Sequence, residues 1–234
     1  MSYTITYNNI NPEDLGVFVV QRPNIPAPQL RINETIIEGR DGSLITTDGC
    51  FDNIEIAIQL NYMSPKDDWK STFRKIKSWL LARNGERRLV LSDDTGYFYK
   101  VKNVIIGENE RTSYRIGVVT PIFLCEPFEY LESGTDEYEI EDVKLNPYYM
   151  SKPIYKITGE GVCTLTVNGN EMTANVGQNL TIDTGLMIAY REDGMLQNTA
   201  VKGDYEGLYL NTGENQISID GNVSLKIIPN WRCL

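Results

Sequence analysis

The run Phe51–Tyr62, FDNIEIAIQLNY, places Ile54, Ile56, Ile58, Leu60 and Tyr62 at every second position, with Asn53, Glu55, Ala57, Gln59 and Asn61 between them. Side chains in a strand alternate between faces, so a period of two over this length predicts a half-buried strand with one wet side. A helix would scatter the same apolar residues around its axis. The chain must therefore build a sheet that is covered on one face and hydrated on the other.

One segment switches to the helical period. In SPKDDWKSTFRKIKSWLLARNG, Trp69, Phe73, Ile76 and Leu80 recur at steps of four, three and four, an apolar stripe with Trp79 beside it. Ser64 is the expected N-cap, Pro65 the first helical residue, and Asp67 stands three residues after the cap. Asn84-Gly85 supplies a left-handed stop, with Arg83 in the last turn, giving a helix over 65–83. Around it the chain reads as β. RLVLSDDTGYFYKVKNV predicts a hairpin turning at Asp93-Asp94-Thr95-Gly96. A further strand ends FLCEPFEY, and Thr120-Pro121 inside it implies an edge or a bulge.

From Leu131 to Pro147 the sequence turns acidic and polar, and the domain boundary is placed there, giving domains 1–140 and 141–234. Beyond it, short strand-like pieces alternate with Asn-Gly, Gly-Glu-Asn and Asp-Gly turns. The pattern predicts a β-sandwich of jelly-roll type. The fold class is thus mainly β in two domains: an N-terminal β-sandwich or sheet with one α-helix, and a C-terminal galectin-like sandwich.

Charge and composition exclude several function classes. Residues 1–140 carry 15 basic and 21 acidic side chains (net −6), and residues 141–234 carry 7 and 11 (net −4), so the net −10 is spread along the chain. Gripping nucleic acid calls for clustered Lys and Arg, which this balance does not favour. There is no histidine, which removes Ser-His-Asp, Cys-His and His-ligated metal chemistry. Cys50, Cys125, Cys163 and Cys233 form no CxxC pair, so zinc-knuckle spacing is absent and free thiols are expected. No apolar run reaches the roughly 20 residues of a membrane span. The first residues lack a basic start and an apolar stretch, so a cytosolic site of synthesis is expected, with no membrane partner and no cofactor.

The candidate sites are few. EGRDGSLITTDG, Glu38–Gly49, contains the tight-turn pair Asp41-Gly42 but neither phosphate-loop nor calcium-loop spacing. A turn alone leaves Arg40 without a role, and its fork suits a carboxylate on a neighbouring subunit. Gly39, Arg40, Asp41 and Gly42 are therefore the candidate oligomer-interface residues. The carboxylate pairs Asp93/Asp94, Glu126/Glu129 and Glu192/Asp193 raise glycosidase chemistry, but adjacency in sequence does not build a cleft. Tyr190, Tyr209 and Trp231 are candidate saccharide or partner contacts, against the commoner use of aromatics in strand cores. No catalytic or metal-binding residue is assigned.

Taken in order, EGRDGS, the alternating strand, the helix ending SWLLARNG, RLVLSDDTGYFYKVKNV and FLCEPFEY resemble the distal tail protein (Dit) family of siphophages infecting Gram-positive bacteria. The matching positions are Gly39, Arg40, Asp41 and Gly42, then Phe123, Cys125 and Pro127. NPYY, TIDTGLMIAY and the closing LKIIPNWRCL resemble the family's C-terminal sandwich more loosely. The resemblance implies a non-enzymatic virion protein, assembled in the host cytoplasm and placed at the phage tail tip. It implies a homo-hexamer closed through N-terminal domains, between the tail-tube protein and the tail-tip protein. The C-terminal domains would carry receptor-binding or baseplate proteins, and DNA would pass through the ring without specific binding. The alternatives from other classes are a carbohydrate-binding module or adhesin for host cell-wall saccharide, and a cell-wall hydrolase.

Overall fold

In a computed structural model, residues 3–64, 68–111 and 113–234 are described. They form two compact units, Met1–Glu129 with Leu234, and Tyr130–Cys233. The division falls N-terminal to the acidic stretch at which composition places it. Residues beyond Glu129 hydrogen-bond within the second unit: the Leu131 amide donates to the Trp231 carbonyl at 3.0 Å, and Tyr138 pairs with Ile227.

The first unit contains β1 (Ile5–Tyr7), β2 (Val17–Val19), β3 (Leu30–Ile36), β4 (Ser43–Phe51), β5 (Ile54–Ala57), β6 (Leu60–Met63), α1 (Trp69–Leu80), β7 (Arg88–Leu91), β8 (Asp94–Arg111) and β9 (Ile116–Leu131). Its main sheet runs β1-β7-β8-β9-β6-β2, with β5 also pairing β9. The alternating stretch behaves as its period dictates, since Ile54, Ile56, Ile58, Leu60 and Tyr62 are all buried. It is nonetheless two segments, which pair β9 in one register and are parted only at Ile58 and Gln59. Val119 pairs Leu60 of β6 and Ile122 pairs Ala57 of β5. Pro121 lies between those pairs, opposite Ile58, where its carbonyl accepts from the Ile58 amide at 3.0 Å. β9 is an internal strand, so of the edge or bulge that Thr120-Pro121 implied the edge is not found, and the ladder is interrupted at Pro121 because proline has no N–H to donate back to Ile58.

Two local expectations shift. The β7–β8 turn is Ser92-Asp93, since Leu91 pairs Asp94, and Gly96 lies inside β8. The helix starts and stops within its expected limits. Asp68 is the N-cap, its carboxylate accepting from the Ser71 amide at 3.2 Å. Ser64 is instead buried, with its amide donating to the Arg115 carbonyl, while Pro65 and Asp67 lie outside the described residues. At the other end α1 closes at Leu81, before Asn84-Gly85. The stripe itself holds: Ile76 and Leu80 are fully buried and Trp69 and Phe73 pack at the margin of the same core. Trp79 joins them, meeting Tyr7 edge-on at 6.2 Å, while Tyr7 meets Phe123 the same way at 5.1 Å. Such pairs add about 0.5–1.5 kcal/mol each beyond the area they bury.

The second unit contains β10 (Leu145–Asn146), β11 (Ile154–Val167), β12 (Asn170–Asp183), β13 (Ile188–Tyr190), β14 (Val201–Lys202), β15 (Gly213–Glu214), β16 (Ile217–Asp220), β17 (Val223–Ile228) and β18 (Arg232–Cys233). Its framework is the hairpin of β11 and β12, paired over their full length around Asn168-Gly169. β13 and β14 flank β12, β16 and β17 flank β11, and β10 pairs β15 separately. Two pieces that read as separate strands are one, because Gly159 and Gly161 adopt φ of 145° and 108° and let β11 bend without ending. One sheet face is core, with Tyr155, Ile157, Leu165, Met172, Leu180 and Ile227 buried. The other presents Lys156, Thr158, Thr173, Asn175 and Lys226 to water.

Candidate functional site: an uncovered ribbon and its tip

β3 and β4 form a two-stranded ribbon of their own. Its register pairs Ile32 with Thr47, Glu34 with Ile45 and Ile36 with Ser43. Residues paired across a ladder share a face, as do residues two apart. Ile32, Ile36 and Ile45 therefore lie on one face, and they are 50%, 85% and 58% exposed. A two-stranded ribbon is at best marginally stable in water without a layer against it. Here three isoleucines face outward on a segment that already exposes both of its edges.

The candidate interface residues form the tip of this ribbon. The loop leaves β3 at Ile36 and enters β4 at Ser43, closed in part by the Arg40 amide donating to the Ile37 carbonyl at 3.2 Å. Gly39 and Gly42 have φ of 78° and 77°, the left-handed region that favours glycine. Arg40 and Asp41 are exposed and neither is in an ion pair among the described residues. Toward the base the charges are used internally. Arg31 bonds Asp52 at 3.2 Å and reaches Asp48 at 3.7 Å, and the Ser43 hydroxyl donates to the Glu34 carboxylate. The Asp48 carboxyl is held below its usual range, chiefly by the hydrogen bond from the Cys50 amide, with Arg31 adding to it. Within the ribbon, Glu38, Arg40 and Asp41 at the tip are in no ion pair among the described residues. Sequence reasoning found the tip through its turn chemistry but missed the isoleucine face, which the even spacing of Ile32 and Ile36 signalled only in part, Ile45 joining it through the ladder.

The three aromatic candidates occupy separate environments. Trp231 is 7% exposed and packs beside Tyr148 with ring centroids 6.1 Å apart. The Tyr209 hydroxyl is buried with no hydrogen-bond partner among the described residues, and the Lys152 ammonium stands 5.0 Å from its ring. Tyr190 is half-buried in β13 beside Thr181 and Leu196. None of them lines the open groove of about 850 Å³ bounded by Lys144, Leu145, Thr166, Glu214 and Ile217.

The carboxylate pairs are engaged elsewhere. Asp93 meets Arg22 at 3.5 Å, Glu126 pairs with Lys102, Glu129 accepts from the Tyr99 hydroxyl, and Asp193 accepts from the Met195 amide. Among the described residues no group of three or more Cys, Asp or Glu side chains is placed to hold a metal ion. All four cysteines are free thiols, Cys50 exposed and Cys125 and Cys163 buried.

No family model matches the chain, and no curated protein matches it. Among solved structures it is similar to Dit (gp19.1) of phage SPP1, a hub adsorption apparatus protein of phages infecting Gram-positive bacteria. The TM-score is 0.66 over 97% of each chain, at 14% identity. The chain has that mainly-β, two-domain fold.

Proposed function

We propose that this chain is a structural component of a phage tail, a hub that closes a homo-hexameric ring between the tail tube and the tail tip. What carries this reading is the likeness of the whole fold, across both units, to a tail hub protein. The ribbon supports it from the physics of this chain. An uncovered three-isoleucine face is stabilised by a neighbour, and an unlike-to-unlike contact repeated about an axis closes a ring when the rotation allows. On this reading Gly39–Gly42 lie at a subunit boundary. The second unit carries receptor-binding or baseplate components, and the chain's net −10 lets DNA pass without being gripped.

The test is native mass spectrometry of the purified chain over a range of concentration and salt. The expected result is a six-fold species or a three- or twelve-fold relative of it. A monomer at every condition, together with binding of the isolated chain to cell-wall polysaccharide on a glycan array, would replace the hub by a saccharide-binding module.

A further inference from the structure

In a chain of net −10, residues 68–88 hold seven basic side chains against two acids. On α1 these cations fall on one side. Lys70, Arg74 and Lys77 step by four and three residues, which aligns them along one helical face. All three are exposed, while Thr72, Ile76, Trp79 and Leu80 are buried behind them. Leu81, 52% exposed, ends the row. Among the described residues none of the three is in an ion pair, although like charges at this spacing repel by a few tenths of a kcal/mol.

Aromatic rings hold Lys70 and Lys77 in place without neutralising them. The Lys70 ammonium stands 6.0 Å from the Trp69 ring centre, the Arg111 guanidinium lies 4.4 Å over the same ring, and the Lys77 ammonium is 5.1 Å from Phe73. Cations held this way have lost part of their rotamer freedom already and remain available to a carboxylate.

The complementary surface is on the same chain. Between Leu30 and Asp52 the ribbon carries five carboxylates against two arginines. Asp48 and Asp52 are taken by Arg31, and Glu34 accepts from Ser43. Glu38 and Asp41, at the tip, pair with nothing among the described residues. Within one copy the tip carboxylates and the helix cations do not meet.

We propose that the Lys70–Arg74–Lys77 face of α1 in one copy receives the acidic tip of the β3–β4 ribbon from a second copy. Glu38 and Asp41 meet the cations, and the ribbon's isoleucine face is covered alongside them, near Leu81. The cation row spans about 10 Å at 1.5 Å per residue, a length that a six-residue tip covers. Three cations in an acidic chain are few for a nucleic-acid grip, which rewards larger clusters, and suit a matching pair of carboxylates. This contact rests on the ring reading and gives it a receiving surface.

Charge reversal tests it. Lys70→Glu/Arg74→Glu/Lys77→Glu is expected to weaken association about tenfold or more, and Glu38→Lys/Asp41→Lys to do the same. Combining the five substitutions restores assembly in part. Native mass spectrometry and light scattering at low and high salt read the oligomer, and circular dichroism reads the fold. The neutral set Lys70→Gln/Arg74→Gln/Lys77→Gln stands in if the reversed helix fails to fold. Full assembly of both reversed variants would leave the ring reading intact and remove this contact. A wild-type chain that stays monomeric would remove the ring reading and this contact together. If wild type binds a short DNA duplex, the reversed helix does not, and assembly is unchanged, the row is a polyanion site and the proposal is wrong.

Discussion

The Trp79 indole N–H donates to the Tyr7 backbone carbonyl at 3.0 Å, and the two rings meet edge-on. One hydrogen bond and one aromatic pair thus fasten α1 to the first strand of the sheet. Trp79 is 4% exposed, so nothing in water replaces either contact once it is lost.

Trp79→Phe keeps most of the packing and removes one hydrogen bond, the Tyr7 carbonyl still accepting from the Ile10 amide at 3.1 Å, an expected cost of about 0.5–1.5 kcal/mol. Trp79→Ala also opens a cavity, at about 3–5 kcal/mol. Urea unfolding monitored by circular dichroism orders the two. A Trp79→Phe variant as stable as wild type would mean that the hydrogen bond contributes nothing.

Gly134 is fixed by Trp231. A Cβ added there would stand 2.5 Å from the Trp231 amide nitrogen and 3.0 Å from its Cβ, a distance that side chains do not tolerate against backbone. Gly134→Ala is expected to destabilise the second unit by about 1–3 kcal/mol. Tryptophan fluorescence would report the displacement. An unshifted emission with an unchanged melting temperature would show that the segment yields freely.

The thiols separate by environment. Cys50 is exposed on β4, whereas burial pushes the Cys125 thiol up to about 12, with Glu126 adding to the effect. The thiolate is the nucleophile, so Cys50 is expected to label with iodoacetamide in the native protein at neutral pH. Cys125 and Cys163 label only in denaturant. Mapping by peptide mass spectrometry checks the order, and native labelling of Cys125 would contradict its burial.

Alkaline pH is expected to destabilise the first unit. Burial, with the Asp93 carboxylate beside it, raises Tyr3 from 10.0 to about 12. The folded protein thus holds its proton more tightly than the unfolded chain. The contribution is complete below pH 10 and is lost as pH rises toward about 12. Cys125 acts in the same direction, from 9.0 upward. Melting temperature should be level to about pH 9 and fall above it, with tyrosinate absorbance appearing in the same interval. Absorbance that titrates fully near pH 10 in the folded protein would refute the Tyr3 part.

Ile36, the most exposed of the ribbon isoleucines at 85%, distinguishes assembly from stability. Ile36→Asp is expected to change the monomer's unfolding free energy by no more than about 0.5 kcal/mol, as for other surface positions. The same change should weaken the oligomer, because a carboxylate then lies where an apolar face is covered. A variant that assembles as wild type would take Ile36 out of the interface.

Much of the local structure was legible because it follows from spacing and turn chemistry. The period of two at Ile54–Tyr62 named the buried face, the helical stripe named Ile76 and Leu80, and Asp41-Gly42 marked a turn. What the sequence left open were relations between distant segments. Pro121 reads as an edge or bulge signal until β9 is seen to pair β8 on one side and β5 and β6 on the other. Asp68 caps α1 in place of Ser64, because the helix begins at Trp69 and Ser64 is still held to the sheet, its amide donating to the Arg115 carbonyl. Trp231 reads as a possible ligand platform until Gly134 is found against its backbone.

The ribbon shows most plainly what each level decides. Ile32 and Ile36 share a face through the same even spacing that puts Ile54, Ile56 and Ile58 together, and Ile45 joins them across the ladder, yet the first set is exposed and the second buried. Periodicity determines which side chains share a face, because that is a property of the extended backbone. Whether a second layer covers that face depends on what the rest of the chain brings against it, and only the tertiary structure decides that.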